Sequence, residues 1–384
     1  MSASNLQNLI VISGYYGFNN LGDEAILEEL IEELKELTES ENIVVLSNNP
    51  EKTASTYNTK AVSRWQLTAL CQILPKTRLF ISGGGGLFQD ATSLKPPIFY
   101  ASQIYLAKLF QSKVMVYAQG LGPLNANLSK LISRAALSMA DVVTMRDQSS
   151  QTQLKNWGIE STLTADPVWR LAPKPLPSKL ERQLESIGSQ GKGLLIGLSL
   201  RPSDNFTQAH LARLIDCMDL SLPKESELIL LPLQNVQDSP VLEEFRTEWL
   251  RKGRSAHNLD LNELEMPSQW LNLMSRLDLL VGMRLHSLIL ALKSGVPVVG
   301  LSYDPKVLSV LREFDQPIID LEHVAGEKDV LGVTNSWKES LKTAIDKRSE
   351  LSKQAKLGAA KAQEQACQNF QALAKILGSK SSQK

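Results

Sequence analysis

Cysteine is scarce in this chain of 384 residues, and long apolar runs are missing. The three cysteines, Cys71, Cys217 and Cys367, are scattered without CxxC spacing. This argues against a disulfide framework or a structural zinc site and fits a reducing compartment. The N-terminal sequence MSASNLQNLIVISG lacks a basic region and a cleavage site, and its apolar run is far too short to span a bilayer. We therefore expect a cytoplasmic protein.

A net charge is also missing, because 41 basic and 41 acidic side chains cancel. No global field therefore favours nucleic acid or an anionic membrane, and any anion-binding site must be local. The apolar fraction of 43% and the aromatic fraction of 6% are ordinary for a soluble globular protein. The length exceeds one ordinary hydrophobic core and fits two domains.

Strand and helix patterns alternate along both halves of the chain. Short apolar runs end in glycine, a charged residue or an amide, and nearly every run is followed by helical periodicity. This alternation predicts an α/β fold with doubly wound parallel sheets. A stretch rich in proline and charge separates two such halves, and an alanine- and lysine-rich helical pattern follows the second. We predict an N-terminal domain over 1–172, a linker over 173–192, a C-terminal domain over 193–335 and a helical tail over 336–384.

The stretch LDLLVGMRLHSLILALKSGVPVVGLSYDP, residues 277–305, concentrates the candidate chemistry. An apolar run, a helical pattern and a second apolar run follow one another in it, which predicts a strand-helix-strand unit. Ligands of parallel sheets bind at the carboxyl ends of the strands, where helix N-termini also point. Arg284, His286 and, just beyond the stretch, Lys306 fall at such ends. We therefore expect an anionic ligand carrying phosphate or carboxylate.

His286 has an unusual setting for a lone histidine, because it lies two residues from Arg284 at a predicted helix start. No second histidine or acid at metal-ligand spacing accompanies it, so we expect no metal ion there.

The N-terminal half carries a glycine-rich loop, Gly83 to Gly86, directly after a predicted strand. Such a loop lets backbone N–H groups approach a ligand closely, although a tight structural turn explains it equally well. It lacks the GKS/T of a P-loop and the GxGxxG of a dinucleotide site. Gln89 and Asp90, just beyond it, suit hydrogen bonds to sugar hydroxyls, while a helix-capping role is the alternative for Asp90.

Two further positions in this half carry candidate groups. Asn20 and Asp23 form a polar rim after the first strand, and Asp23 is either a functional carboxylate or the cap of its helix. Arg146 ends another strand, where it either binds an anion or forms a salt bridge to Asp141 or Asp147.

Seven segments together resemble the polysaccharide pyruvyl transferase family, closest to the bacterial cell-surface-anchoring (CsaB) type. In order they are GYYGFNNLGDEAIL, SGGGGLFQDATS, AQGLGP, TMRDQSS, ADPVW, LSLRP and GMRLHSLILAL. The resemblance extends from about residue 9 to 314. It implies two Rossmann-like domains facing across a cleft, as in B-type glycosyltransferases. It also implies transfer of the enolpyruvyl group of phosphoenolpyruvate onto two hydroxyls of a sugar, with release of phosphate and without a required metal or other cofactor.

The resemblance assigns roles to individual residues. The family's essential arginine, histidine and lysine match Arg146, His286 and Lys306. Arg146 and Lys306 would bind the donor anion, and His286 would either contact its phosphate or transfer a proton. Asp23 is the candidate base or acceptor-binding carboxylate. The other residues expected to contact substrate are Arg284, Asn20, Gly84, Gly85, Gln89, Asp90, Gln119 and Arg201.

The resemblance further implies N-acetylmannosamine, in a lipid-diphosphate-linked cell-wall precursor, as the acceptor. That acceptor implies peripheral contact with the inner membrane face; nucleic acid is not an expected partner, and the oligomeric state stays open. Two features depart from the family or cannot be interpreted: an extra glycine in GGGGLF, and loops around Trp65 and 95–100 without a recognisable signature.

Two rival functions remain. A nucleotide-sugar glycosyltransferase of the same fold would need an acidic residue to hold the ribose, for which Glu322 is the candidate. The arginine, the histidine and the downstream lysine suit a small dianion better. A non-catalytic sugar- or phosphate-binding protein would have no chemical need for Arg146, His286 and Lys306 together.

Overall fold

The computed structural model describes residues 8–91, 93–190, 193–321 and 330–378. They belong to two compact units, one comprising Met1–Leu171 with Ala362–Lys384 and the other Ala172–Lys361. Each unit is built around a single parallel β-sheet.

The first unit contains a seven-stranded sheet. Its strands are β1 (Leu9–Ser13), β2 (Ile43–Ser47), β3 (Lys60–Ser63), β4 (Thr77–Ser82), β5 (Lys113–Gln119), β6 (Val142–Met145) and β7 (Thr162–Leu163). The helices between them are α1 (Leu21–Lys35), α2 (Pro50–Tyr57), α3 (Leu67–Ile73), α4 (Lys95–Leu109), α5 (Asn127–Leu137) and α6 (Gln148–Asn156). The spatial order is β3-β2-β1-β4-β5-β6-β7, and β1, β2, β4 and β5 are almost continuously buried, as expected for a parallel sheet covered on both faces.

This strand order determines which helices share a layer. The chain winds from β1 to β3 in one direction, then crosses to β4 and winds in the other. Because parallel crossovers are right-handed, α1 and α2 cover one face of the sheet and α3, α4, α5 and α6 cover the other. Leu70, Ile104, Leu137 and Leu154, one from each helix of the second layer, are buried in one apolar cluster with the sheet.

The second unit contains a six-stranded sheet. Its strands are β8 (Leu195–Ser199), β9 (Glu227–Leu230), β10 (Ser255–Asn258), β11 (Leu279–Gly282), β12 (Val298–Ser302) and β13 (Ile318–Asp320), in the order β10-β9-β8-β11-β12-β13. Its helices are α7 (Ser178–Gln190), α8 (Gln208–Ser221), α9 (Asn235–Arg251), α10 (Pro267–Met274), α11 (Leu285–Lys293), α12 (Pro305–Glu313) and α13 (Val330–Asp346). The last helix, α14 (Arg348–Leu377), begins in this unit, and its residues from Ala362 onward belong to the first.

The predicted fold class is confirmed, since both units are parallel α/β structures of the Rossmann-like type. The stretch 173–192, predicted as a linker, contains helix α7 and belongs to the second unit. Leu180, Leu184 and Ile187 recur at helical spacing there and are buried, which gives the stretch an apolar face that its proline and charge content obscured. The predicted tail starts inside α13. Among the described helices, none is long and apolar enough to cross a bilayer.

Candidate functional site

The carboxyl edge of the second sheet collects polar side chains from four neighbouring strands. Gly282 at the end of β11 lies beside Ser199 of β8 and Gly300 of β12, so the loops after these strands leave the sheet at one edge. The loops contribute Gln234 after β9, Arg201 after β8, Arg284 and His286 after β11, and Tyr303 and Lys306 after β12. The sequence predicted this clustering for Arg284, His286 and Lys306.

Arg284 is held by a carboxylate that the sequence did not indicate. Its Nε and Nη2 donate to the two carboxylate oxygens of Asp238 at 2.7 and 2.5 Å, and Nη2 also donates to Oε1 of Gln234 at 3.2 Å. Both members of the ion pair are buried. The pair fixes the residue that precedes α11, because Arg284 occupies the N-cap position of that helix. Direct contact between Arg284 and an anion stays a prediction.

His286 and Lys306 occupy equivalent positions on adjacent helices. Each is the second residue of its helix, α11 and α12 respectively, and each is partly buried. The first turn of a helix presents backbone N–H groups and the positive end of the helix dipole, both of which favour an anion. Asp304 caps α12 by accepting the Lys306 backbone N–H at 2.7 Å. Two helix N-termini, an imidazole and an ammonium group thus lie at neighbouring strand ends.

Arg201 joins the ends of β8 and β12, the two strands that flank β11. Its Nη1 donates to the Tyr303 hydroxyl at 3.1 Å, and its guanidinium lies 5.3 Å from the centre of that ring. Burial raises the pKa of Tyr303 while the Arg201 charge opposes the rise. Arg201 therefore lies in the same loop cluster as the predicted donor-binding residues.

The glycine-rich loop of the first unit is shaped by close contacts beneath it. A side chain at Gly83 would collide with the hydroxyl of the fully buried Tyr16. Gly85 has a φ of +96°, and a Cβ there would lie 2.8 Å from the Asp23 carboxylate. Both positions therefore require glycine, and the Asp23 carboxylate lies against the loop at Gly85.

Gln119 supports this loop from below. Its side-chain amide donates to the Ser82 hydroxyl at 2.8 Å and to the Gly83 carbonyl at 2.9 Å, and the residue is almost fully buried. Gly120, the next residue, donates its N–H to the Gly85 carbonyl at 2.8 Å. The structure therefore gives Gln119 a positioning role, and its contact with substrate stays a prediction.

Asp23 is not the N-cap of its helix, which was the alternative explanation for it. Asn20 caps α1 by accepting the Gly22 N–H at 3.2 Å, and the helix begins at Leu21. Asp23 is partly buried in the first turn. The carboxylate therefore lies at a helix N-terminus beside the glycine-rich loop.

Asp90 is not a helix cap of α4 either, because that helix begins at Lys95. Its two carboxylate oxygens accept the backbone N–H groups of Asn125 and Ala126 at 2.7 and 2.8 Å. These hydrogen bonds hold the pKa of Asp90 below its ordinary value. Gln89 accepts the N–H of Ala91 at 3.3 Å. Asp90 therefore fixes the segment that precedes α5, and contact of either residue with a sugar stays a prediction.

Arg146 forms a salt bridge, but the partners named from the sequence were wrong. Its Nη1 donates to Asp166 Oδ2 at 2.5 Å, and both side chains are buried. Asp147 instead caps α6 by accepting the Ser150 N–H at 2.8 Å. A Cβ at Gly120 would lie 3.0 Å from Arg146 Nε, so the glycine leaves room for the guanidinium.

Arg64 was missed by the sequence analysis. It is 8% exposed and donates to the Gly14 carbonyl at 2.7 Å and to the Tyr100 hydroxyl at 3.1 Å. Its guanidinium lies 4.6 to 5.5 Å from four ring centres, those of Phe18, Trp65, Phe99 and Tyr100. The available signal was the pair of dipeptides Arg64-Trp65 and Phe99-Tyr100, neither of which belongs to a recognisable motif. Residues 95–100, which the sequence analysis treated as a loop, form the start of α4.

Glu24, next to Asp23, is a second missed group. Burial raises its pKa from 4.5 to about 7, against the effect of the hydrogen bond from the Gly17 N–H. That hydrogen bond is 2.8 Å long. Burial also raises the pKa of Tyr15, with the Asp23 charge adding to the rise and Arg64 opposing it. Titratable and charged groups therefore cluster at the first turn of α1.

Similarity to known proteins extends over most of the chain. Residues 20–305 match the family described as polysaccharide pyruvyl transferase. Among curated proteins, no sequence matches the chain significantly.

Solved structures of low sequence identity share the fold. The S. aureus MnaA–UDP co-structure is 12% identical, with a TM-score of 0.64, covering 98% of this chain and 100% of that one. The crystal structure of Anabaena Alr3699/HepE in complex with UDP and glucose is 14% identical, with a TM-score of 0.58, covering 96% and 99%. A glycosyltransferase from Rickettsia africae is 13% identical, with a TM-score of 0.56, covering 97% and 96%.

Proposed function

Since the chain belongs to the polysaccharide pyruvyl transferase family, we propose that it transfers the enolpyruvyl group of phosphoenolpyruvate onto two hydroxyls of a sugar. The products are a pyruvate ketal and phosphate. The observation that carries this proposal is the placement of His286 and Lys306 in the first turns of two adjacent helices, at one edge of the second sheet.

Phosphoenolpyruvate suits this edge because it carries a carboxylate and a phosphate on a small skeleton. Each anionic group can accept hydrogen bonds from a helix N-terminus, and Lys306 adds an ammonium donor. Arg284 contributes by holding the start of α11, since Asp238 already binds its guanidinium. The family resemblance implies that Arg146 also binds the donor anion, and its pairing with Asp166 would fix the orientation of the guanidinium.

The reaction needs one proton delivered and two removed. Protonation of the donor methylene makes an oxocarbenium-like centre at the adjacent carbon, which one sugar hydroxyl attacks with loss of its proton. Loss of phosphate then forms a second oxocarbenium-like centre. The second hydroxyl attacks this centre with loss of its proton, which closes the ketal. We assign His286 either to the phosphate or to proton transfer, and Asp23 to the hydroxyl proton or to acceptor binding. No metal ion or other cofactor has a role in this scheme.

The acceptor is proposed to be a sugar bound on the first unit. Asn20 caps the helix that carries Asp23, and Gly85 lies against the Asp23 carboxylate. Gly84 belongs to the same glycine-rich loop and Gln89 follows it in sequence, and the backbone and side-chain amides of these residues can pair with hydroxyls. Asp90 and Gln119 act by holding the neighbouring loops in place. We propose N-acetylmannosamine of a lipid-diphosphate-linked cell-wall precursor as the specific acceptor.

A nucleotide-sugar glycosyltransferase is the second candidate, because the solved structures that share the fold include complexes with UDP. Glu322, the residue named from the sequence for ribose binding, lies outside the described residues.

The deciding experiment incubates the protein with phosphoenolpyruvate and a panel of acceptors, N-acetylmannosaminyl lipid precursors and galactosides included. We expect phosphate release that requires both donor and acceptor, with mass spectrometry detecting the ketal product. In parallel, melting temperatures are measured with phosphoenolpyruvate and with UDP-sugars, because a ligand that binds the folded state raises them. Stabilisation by a UDP-sugar with none by phosphoenolpyruvate would favour the second candidate.

A further inference from the structure

The first unit is electrically asymmetric although the whole chain is neutral. Residues 91–140 contain no aspartate or glutamate, and their basic residues are Lys95, Lys108, Lys113, Lys130 and Arg134. Helix α1, on the opposite face of the sheet, carries six acids in its sequence LGDEAILEELIEELK. The layer that contains α4 and α5 is therefore the cationic side of this unit.

Helix α4 presents an apolar stripe to solvent. Ile98, Tyr105 and Leu109 are 47%, 42% and 74% exposed. Their spacing of seven and four residues places them on one side of the helix, away from the buried Ile104 and Ala107. Burial against the sheet cannot explain these three side chains, because the helix already buries its other face.

Helix α5 continues the same kind of surface. It packs beside α4, and its Leu128 and Leu131 are 51% and 65% exposed. Lys130 and Arg134, which lie among these leucines, are exposed as well. Lys108 contributes less charge, because it pairs with Asp141 at 3.0 Å. The positive charge of this surface therefore comes from Lys95, Lys130 and Arg134.

We propose that this surface, the exposed side chains of α4 and α5, docks on an anionic lipid bilayer. Exposed leucine, isoleucine and tyrosine side chains interspersed with lysine and arginine suit the headgroup region of an anionic leaflet, where the apolar groups leave water and the cations meet the lipid charge. Each basic residue near an anionic leaflet adds attraction, and each inserted leucine buries apolar surface that water otherwise solvates. The docking is interfacial, since no described helix is able to span the bilayer.

A lipid surface fits these side chains better than other acidic partners. Nucleic acid would neutralise the lysines and the arginine but would leave Leu109 and Leu131 in water. An acidic protein would need a contiguous apolar patch of matching shape, whereas a bilayer accepts leucines that are separated by cationic and small polar residues. The inference does not rest on the proposed reaction, since membrane docking and phosphoenolpyruvate turnover are measured separately.

The test is flotation of the full chain with vesicles of phosphatidylcholine, with and without phosphatidylglycerol. We expect partition at least tenfold stronger on the anionic vesicles and a decrease as salt is raised. Leu109→Glu combined with Leu131→Glu should lower binding at least tenfold, and Lys130→Gln combined with Arg134→Gln should lower it severalfold. The matched control is Leu220→Glu combined with Leu357→Glu, at residues 68% and 74% exposed in the second unit, which should leave binding unchanged.

Equal binding of the wild type and the Leu109/Leu131 variant would overturn the proposal, as would absence of wild-type binding to anionic vesicles. Unchanged melting temperatures and unchanged turnover of a water-soluble acceptor would show that the variants remain folded.

Discussion

Asp238 binds Arg284 through both carboxylate oxygens, at 2.7 and 2.5 Å, in a part of the second unit where both side chains are buried. The residues are 46 positions apart, and their pairing fixes the loop that leads to His286. The pair therefore couples the stability of this unit to the geometry of its candidate anion site.

Asp238→Ala should destabilise the protein by roughly 3–5 kcal/mol, because it leaves the Arg284 guanidinium buried without its counter-charge. Denaturant unfolding followed by circular dichroism measures this change. Glu243→Ala is the control, since it removes an exposed salt bridge to Arg246 and should cost at most about 1 kcal/mol. Equal costs for the two substitutions would contradict a structural role for the buried pair.

Gly85→Ala should impair both stability and turnover. The new methyl group would have to accept a φ of +96° and would lie 2.8 Å from the Asp23 carboxylate. Gly253→Ala separates these effects, because Gly253 also has a positive φ but has no atom within 4 Å of its Cβ position. Each substitution should cost about 1 kcal/mol of backbone strain, and only Gly85→Ala should also reduce activity. Full activity of Gly85→Ala would separate this loop from the site.

Local sequence patterns predicted where the candidate site residues lie more reliably than which side chains they bind. The positions of Arg284, His286 and Lys306 at strand ends followed from apolar runs that stop at glycine or precede a helix, which are short-range signals. The salt-bridge partners Asp238 and Asp166 were not predictable, because strand order selects them from 41 acids that look alike in sequence.

Asp90 illustrates the same limit on the predicted roles. Its place before a helix suggested a cap, yet it accepts hydrogen bonds from residues 35 and 36 positions later. Arg64 shows a different limit, because the four rings around it come from three separate segments that only the folded sheet brings together. Composition and periodicity carry no information about such clusters.

Glu24→Gln should change the pH dependence of stability. Burial raises the folded-state pKa of Glu24 from 4.5 to about 7, and the charge of Asp23 raises it while that of Lys52 lowers it. Between pH 4.5 and about 7, the folded state therefore keeps a proton on Glu24 that the unfolded state has released. The stability that this protonated group contributes is present below pH 4.5 and is lost as pH rises through about 7. The loss from this group has a slope of at most about 1.4 kcal/mol per pH unit.

Urea unfolding between pH 4.5 and 8 checks this expectation. The glutamine variant should lose less stability across that range than the wild type, because an amide does not titrate. Glu32→Gln, at an exposed residue of the same helix that pairs with Lys35, is the control for removing one acid from α1. Identical profiles for the wild type and Glu24→Gln would contradict the raised pKa.

Arg64→Lys should destabilise the first unit despite keeping the charge. Lysine cannot donate to both the Gly14 carbonyl and the Tyr100 hydroxyl with the planar geometry of a guanidinium, and it stacks poorly between rings. We expect a loss of about 1–3 kcal/mol, measured by thermal and denaturant unfolding. Arg246→Lys, in an exposed pair with Glu243, is the control and should change stability little. A neutral effect at Arg64 would show that its charge alone matters there.

His286→Ala, Lys306→Ala and Arg146→Ala should each reduce turnover at least about a hundredfold, the usual scale for a proton-transfer or charge-stabilising group. The measurement is phosphate release with phosphoenolpyruvate and a sugar acceptor. His257→Ala and Lys252→Ala are the controls, because His257 hydrogen-bonds Glu227 and Lys252 pairs with Asp216 on other parts of the second unit. Wild-type rates in the three site variants would contradict the assignment.

His286→Gln distinguishes the two roles proposed for the histidine. Glutamine can still donate a hydrogen bond to a phosphate oxygen but cannot transfer a proton at neutral pH. If His286 contacts the phosphate, the glutamine variant should recover much of the rate that alanine loses, with KM for phosphoenolpyruvate moving back toward the wild-type value. If His286 transfers a proton, glutamine and alanine should be equally slow, and kcat should fall while KM stays nearly constant. These outcomes separate donor binding from acid–base chemistry at His286, in the first turn of α11.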